Sequence, residues 1–455
     1  MRGVFHASTQ LIAPMNTLSR SVISRRRFLA TASGALAFPL IFPGCATGPR
    51  RRVRPSNRIH LGIVGWGLQG PANIRTFLHE EDCRVVAACD IDRTHLQAAL
   101  DTINGHYESK DCKGYHDYRE MLASDDLDAV VLAVPDHWHE LVATEAARRG
   151  LDIYGEKPLA QTIAEQQSIV RAVQKNKVIW QTGSWQRSLP SFRRAAEIVR
   201  SGLLGEITRV EVGLPAGHND LAKTKEFMTP SAPPAELDYE RWIGPSQMEP
   251  YIKARGHMNW RWNYNTGGGQ LMDWIGHHCD IAHWGLDFDR SGPSEIEAQA
   301  EFPAAGAIWN TATKYRIELK YPRRITMTIA GGHPDIKNGT KWIGKDGWVY
   351  VTRGGFDASN PEWKKSPALA NALVKTKLQQ SSNHHRNFLD CIKSRQPTVT
   401  PVETAHHSAI PGHLGAIAMK TGRKIRWDVA SEKIIGDPAA SKLLSRDYRG
   451  PWKMA

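Results

Sequence analysis

Residues 58–70 read Arg58-Ile-His-Leu-Gly-Ile-Val-Gly65-Trp-Gly67-Leu-Gln-Gly70. A short apolar run leads into G-x-G-x-x-G, and a helical pattern follows over 71–79. In a strand-turn-helix each glycine has a mechanical task. Gly65 permits the tight turn, Gly67 lets the backbone approach a pyrophosphate, and Gly70 allows close packing of helix on strand. The free N–H groups of that helix start suit phosphate charge. On this reading Trp66, Leu68 and Gln69 complete the nucleotide turn. A lone glycine fingerprint is a weak signal, and the next element decides. Arg84-Val-Val-Ala-Ala-Cys-Asp90 is a second buried-strand run ending in an acid, 20 residues past Gly70. An acid there accepts hydrogen bonds from an adenosine ribose and repels a 2′-phosphate. The pair favours NAD, while Arg93 nearby leaves NADP open.

The formal charge of +13 over 455 residues is unevenly spread. Residues 1–54 hold nine arginines, no lysine and no acid. Setting these aside from the 59 basic residues leaves 50 against 46 acids, a net of +4. That balance carries no nucleic-acid footprint. Ser24-Arg25-Arg26-Arg27-Phe28-Leu29 followed by an apolar stretch to Phe42 resembles a twin-arginine export signal, which predicts passage through that machinery to the periplasm. The stretch is too short for a membrane span, and no later run is long and apolar enough. Gly44-Cys45 offers a lipid-attachment alternative, although Phe42-Pro43 before it fits poorly. The five later cysteines (83, 89, 112, 279, 391) are scattered without C-x-x-C, so buried thiols are expected rather than disulfides or zinc.

Strand-like runs at 85–89, 128–134, 151–154 and 178–182 alternate with helical stretches at 93–102, 118–123, 137–149 and 162–176. This alternation predicts a doubly wound parallel sheet, a Rossmann fold, within an α/β chain. After a helix at 191–201 the character changes. Runs at 206–214, 294–301, 311–321, 325–330 and 340–351 predict a second α+β domain with a large open, mostly antiparallel sheet, Lys345-Asp346-Gly347 supplying a hairpin turn. The expected organisation is a signal and basic linker at 1–57, a nucleotide-binding domain at 58–185, a substrate and oligomerisation domain at 186–430 and a tail at 431–455.

Tyr154-Gly155-Glu156-Lys157-Pro158 follows a strand and falls at the carboxyl edge of the sheet, where such folds bind ligands. A lysine there can hold a substrate hydroxyl or carbonyl oxygen. Pro158 permits a cis peptide. Asn265-Thr-Gly267-Gly268-Gly269 leads into a helix expected over 270–284 and closed by Gly285. On it Asp273 and His277 share one face. A carboxylate beside the imidazole would favour the imidazolium and orient the ring, so that His277 exchanges the hydroxyl proton as hydride leaves the same carbon. A structural pair on a core helix is the alternative. Three histidines (277, 278, 283) lack convincing ligand spacing, and no metal is expected. Val134-Pro135-Asp136-His137-Trp138-His139 opens a helix after a strand. Pro135, His137, Trp138 and His139 are candidates to wall the nicotinamide, with capping by Asp136 as the alternative. Trp185, Arg187, Trp260, Arg261 and His384 are candidate substrate contacts, indole faces suiting the C–H faces of sugars.

Together, the glycine fingerprint at 65–70, Asp90, Glu156-Lys157-Pro158 and Asp273-x-x-x-His277 resemble the Gfo/Idh/MocA oxidoreductases, the family of glucose–fructose oxidoreductase and inositol dehydrogenase. The resemblance covers about 58–430 and extends to Leu237-Asp-Tyr-Glu-Arg-Trp-Ile-Gly-Pro245 and Asn383-His-His-Arg-Asn-Phe-Leu-Asp-Cys391, stretches similar to its exported branch. It implies Lys157 and His277 as the catalytic pair, Asp273 as a residue that binds substrate or orients His277, and a sugar, polyol or sugar derivative as substrate. It also implies a homodimer or homotetramer assembled through the second sheet. Three activities fit these residues: reversible hydride transfer to a bound nicotinamide, a redox-neutral glycosidase working by transient oxidation, and a sugar-binding protein without catalysis.

Overall fold

The computed structural model describes residues 58–124, 126–218, 224–364 and 374–455. The export signal, Cys45 and the arginine linker lie outside the described residues.

Six strands, β1 (Ile59–Val64), β2 (Cys83–Cys89), β3 (Lys113–Tyr115), β4 (Ala129–Leu132), β5 (Asp152–Gly155) and β6 (Trp180–Thr182), form one sheet in the order β3-β2-β1-β4-β5-β6. Every pairing is parallel. Parallel pairing requires crossovers, and helices α1 (Gln69–Leu78), α2 (Arg93–Tyr107), α3 (His139–Arg148) and α4 (Ile163–Asn176) supply most of them. Their starts are locally encoded: Asp92 accepts from the N–H of Thr94 and His95, and Thr162 from that of Glu165. The strand order reverses at β1, between β2 and β4. The loops after β1 and β4 therefore part and leave a crevice at the carboxyl ends of the strands.

The second sheet has nine strands. They are β7 (Ile207–Leu214), β8 (Glu295–Glu301), β9 (Lys314–Lys320), β10 (Thr326–Gly331), β11 (Gly339–Gly344), β12 (Gly347–Thr352), β13 (Gly355–Ala358), β14 (Ile425–Asp428) and β15 (Lys433–Ile434), in the order β13-β12-β11-β7-β10-β9-β8-β14-β15. It is antiparallel except for β7 with β10. Its strands alternate, and the apolar set (Val210, Val212, Ile317, Leu319, Met327, Ile329, Trp342) packs with helices α5 (Gly269–Leu286) and α6 (Val402–Thr421) in one core. The opposite face is self-neutralised: Arg209 pairs Glu211, Arg316 pairs Glu318 and Asp335, and Lys320 pairs Glu295.

Four short strands, β3, β13, β14 and β15, escape the periodicity, because two to four residues carry too little pattern. Helix α5 does not close at Gly285. It runs on to Leu286, and Asp287 takes the left-handed cap at φ 61°. Gly285 instead makes room for the Trp342 indole, which a Cβ would meet at 2.7 Å. The five cysteines are free and buried. Among the described residues no helix is long and apolar enough to cross a membrane.

Residues 446–455 pack back on the first sheet's helices. Arg446 Nε and Tyr448 Oη both donate to the buried Glu165 carboxylate (2.7 and 2.8 Å), and the Ala455 N–H donates to Glu140 (3.1 Å).

Candidate active site

The crevice at the strand reversal opens into a cavity of about 400 Å³ that runs from Gly65 and Asp90 to Lys157. Gly65 has φ 94°, and a Cβ there would lie 2.5 Å from the Ala133 carbonyl. A Cβ on Gly70 would lie 2.1 Å from the Gly65 carbonyl, whereas one on Gly67 meets nothing within 4 Å and would project into open space. The turn is therefore closed against the protein at two glycines and open at the third, the arrangement a pyrophosphate needs. The Asp90 carboxylate accepts from the N–H of Trp66 (2.6 Å) and of Asp92 (2.9 Å), which fixes it at the cavity wall. His95 Nδ1 stands 3.7 Å from it, and that carboxylate raises the imidazole pKa. These residues fit a dinucleotide with a free ribose edge.

At the far end β5 delivers Glu156 and Lys157, and the Lys157-Pro158 peptide is cis. Lys157 Nζ donates to the Asp273 carbonyl at 2.7 Å and to Asp273 Oδ1 at 2.9 Å. The same Oδ1 accepts from Arg261 Nε at 3.0 Å. Burial would raise the Asp273 pKa, yet the two cations outweigh it and hold the carboxyl below its ordinary value. The Lys157 stem lies against Gly276, where a Cβ would come within 3.1 Å of the Lys157 Cβ, so lysine and helix meet one residue before His277. Gly269, at φ 72°, begins that helix where a Cβ would strike Thr311 at 2.6 Å.

The expected Asp273–His277 pair is not formed, because Asp273 is engaged by Lys157 and Arg261. His277 is 5 % exposed, and its Nδ1 is buried without a hydrogen-bond partner. Burial first, then the charges of Lys157, Arg353 and His278, push its pKa well below the ordinary histidine value. The ring is a neutral imidazole, not the anticipated imidazolium, and a neutral ring can accept a proton. Asp136, read from sequence only as a cap, lies buried on the cavity wall with its pKa raised to about 7 by burial.

Other expected residues divide. Gly65, Gly67, Leu68, Gln69, Asp90, Pro135, Trp138, Glu156, Lys157, Trp260 and Arg261 line the cavity. Glu156 is anchored by Asn73 Nδ2 at 2.8 Å, and burial raises its pKa. Gly70 lies beneath the turn, and the Trp66 side chain belongs to the core, only its N–H serving the site. Arg93 is exposed and does not line the cavity; His95 holds the place beside Asp90. His137 and His139 are buried structural groups. The first faces the carbonyls of Thr266 and Trp242 and the second those of Pro158 and Val134, all at 2.8–3.1 Å. The short turn Asp136–Trp138 directs Pro135, Asp136 and Trp138 to the cavity and rotates the histidines away. Arg187, 2 % exposed, is consumed by Asp280 and Asp289 at 2.7–3.1 Å. His384 is held by Thr182 O and Ser188 Oγ, both at 2.8 Å, with its pKa pushed down to about 3 by burial. Trp185 carries Arg353 on its face rather than lining the cavity.

Trp452, from the chain's last residues, also lines the cavity and packs edge-on against Trp138 at 4.9 Å. Neither Trp452 nor Arg353 carries any local sequence signal, since each arrives only through tertiary packing. His277, His278 and His283 form no metal-ligand cluster; His278 meets Asn338 and His283 meets Tyr321.

Residues 59–184 match the family model described as the NAD-binding Rossmann fold of the Gfo/Idh/MocA oxidoreductases, and residues 191–454 match the C-terminal alpha/beta domain of that family. A glycosyl hydrolase family 109 protein 2 from Shewanella sp. (strain ANA-3) is 32% identical over 161 residues, 34% of this chain and 35% of its own length. An inositol 2-dehydrogenase from Salmonella typhimurium is 30% identical over 191 residues, 41% of this chain and 54% of its own. The matched stretch thus spans a third to about half of these curated relatives. Among solved structures, the WlbA dehydrogenase from Bordetella pertussis in complex with NADH and UDP-GlcNAcA superposes with a TM-score of 0.61 at 18% identity, covering 82% of this chain and 98% of that one. The scyllo-inositol dehydrogenase from Lactobacillus casei with bound NAD(H) and scyllo-inositol gives 0.55 at 16%, covering 82% and 99%. At these identities the likeness is one of fold.

Proposed function

The chain belongs to the Gfo/Idh/MocA oxidoreductase family, with an NAD-binding Rossmann fold, and from that premise we propose that it transfers hydride between a tightly held NAD(H) and a hydroxyl-bearing carbon of a sugar, polyol or sugar derivative. One observation carries this reading: Lys157, at the end of the dinucleotide cavity, is ion-paired to Asp273 on the helix that bears a buried, neutral His277. A bound nicotinamide supplies the hydride acceptor or donor. The chain's own groups do the rest. Lys157 Nζ, steadied by Asp273, donates a hydrogen bond to the substrate oxygen. His277 takes the hydroxyl proton as that carbon is oxidised and returns it on reduction. Asp136 and Glu156, both made harder to ionise by burial, limit negative charge where the substrate oxygen gains it.

A second reading has its own support in the relatives named as family 109 glycosyl hydrolases. Transient oxidation of a sugar carbon would acidify the neighbouring C–H, the aglycone would leave by elimination, and water addition and re-reduction would restore the nucleotide without net redox. The two activities separate in one experiment on the isolated holoenzyme. Release of nitrophenol from nitrophenyl glycosides without added NAD supports the glycosidase. Sugar-dependent reduction of the bound nucleotide, with no nitrophenol, supports the dehydrogenase. A Lys157→Ala variant that keeps full turnover in both assays would sink either reading. Export by the twin-arginine route, with nucleotide loaded before passage, and a homo-oligomer joined through the second sheet belong to the same proposal. Mass spectrometry of nucleotide retained by the exported protein tests the first, and light scattering the second.

A further inference from the structure

Arg353 stands in the turn between β12 and β13, against the helix that carries His277. Its guanidinium carbon lies 4.7 Å from the ring centroid of Trp185 and 4.7 Å from that of Trp274, so the group rests against two indole faces. Its Nε donates to Gln186 Oε1 at 3.1 Å, which fixes the rotation of that group. Trp274 in turn packs edge-on against His277 at 5.5 Å. Ordered arginines nearby are neutralised: Arg187 by Asp280 and Asp289, Arg200 by Asp287, and Arg261 by Asp273. Among the described residues no carboxylate pairs with Arg353, which is accessible to solvent. Nor does it line the cavity that runs from the glycine turn to Lys157, so it is not placed to meet the cofactor's phosphates.

The charge around His277 is accordingly unbalanced. Lys157, Arg261 and Arg353 face one ionised carboxylate, Asp273, while burial makes Asp136 and Glu156 reluctant to ionise. The Arg353 charge reaches far enough to help depress the pKa of both His277 and His278. A guanidinium whose rotation is fixed through Nε and whose outer N–H groups meet no acceptor among the described residues presents the fork that matches an oxyanion.

We propose that Arg353, resting against Trp185 and Trp274, is the anion-recognition residue of the substrate site, and that the substrate is a carbohydrate bearing an oxyanion, a carboxylate foremost. The inference rests on Lys157 and His277 being the reacting end of that site. It adds what they do not decide: the charge class of the sugar.

The test titrates the holoenzyme by calorimetry with matched pairs: glucuronate and glucose, galacturonate and galactose, mannuronate and mannose. Glucose 6-phosphate and glucose 6-sulfate serve as the phosphoryl and sulfuryl arms. At least one acid should bind about 10- to 100-fold more tightly than its neutral partner, the span of one charge-assisted bidentate contact. Arg353→Gln should bring that ratio to within about threefold while the variant retains its nucleotide, and Arg353→Lys should recover part of it. An Arg353-dependent preference for the phosphate or sulfate ester over the uronates would keep the oxyanion and replace the carboxylate. Equal affinity across every pair, a preference that survives Arg353→Gln, or no binding by any member overturns the inference. Lys157-dependent oxidation of neutral sugars without acid preference removes the inference and leaves the hydride-transfer reading intact. An Arg353-dependent acid preference with turnover indifferent to Lys157 does the reverse.

Discussion

Asp273→Asn is the most direct probe of the site, because Asp273 Oδ1 accepts from both Lys157 (2.9 Å) and Arg261 (3.0 Å). The variant keeps the shape and an acceptor oxygen but removes the charge. Lys157 and Asp273 side chains are 14% and 19% exposed, so the pair lies between two regimes. An exposed ion pair contributes about 0.2–1 kcal/mol, and breaking a buried one costs about 3–5 kcal/mol. One short charge-assisted bond between the two side chains, in a partly screened setting, places the Asp273–Lys157 coupling at about 1.5–3 kcal/mol. At about 2.1 cal/mol/K per residue over roughly 400 residues, a loss of about 2 kcal/mol lowers Tm by about 2–3 °C. The assay is a double-mutant cycle by denaturation of Asp273→Asn, Lys157→Met and the double variant. The Asp273 pKa is lowered on folding, so the coupling is fully present above the ordinary carboxylate value of 3.8 and is lost as pH falls below it through the folded value. A coupling under about 0.5 kcal/mol at pH 7 would refute the claim that this ion pair organises the site.

His277→Gln should lower turnover by about 10²–10⁴ while nucleotide content is unchanged. Because the His277 pKa lies well below 6.5, the wild-type rate should show no His277-dependent fall between pH 7 and 6, and an inflection near 6.5 that vanishes in the variant contradicts this. Gly67→Val should leave Tm nearly unchanged and weaken NAD at least about tenfold, since its side chain meets no protein atom and enters the phosphate's place; Gly70→Val, driven into the Gly65 carbonyl, should fail to fold stably. Calorimetry with NAD and thermal melts distinguish the two. Arg187→Met strips Asp280 and Asp289 of their counter-charge and should destabilise the fold by about 3–5 kcal/mol, whereas a change in substrate KM without loss of Tm would restore Arg187 to the substrate site.

The elements of the first sheet were legible because their signals are local. Gly65, Gly67 and Gly70 mark a strand-turn-helix within thirteen residues, and the Asp90 carboxylate stands at the end of the adjacent strand. Periodicity likewise located most of the second sheet; it failed at β3 in the first sheet and at β13, β14 and β15 in the second, all too short to show a repeat. The histidines misled for a definable reason. His137 and His139 lie within four residues of cavity-lining Pro135 and Trp138, but their rings turn to backbone carbonyls, and spacing along a chain does not reveal the direction of a ring.

From the sequence alone follow the glycine turn, the acid at the second strand and the presence of a lysine, an aspartate and a histidine suited to proton transfer. Only the tertiary structure decides that Asp273 turns to Lys157, 116 residues away, instead of to His277 four residues along its own helix. It also decides that a hairpin sets Arg353 on Trp274 of that helix and that the last residues bring Trp452 to the cavity wall. The physical reason is that charge pairing and desolvation act through space. A carboxylate is taken by whichever cation the fold sets within hydrogen-bond reach, and an imidazole loses its proton to burial that no neighbour in sequence records.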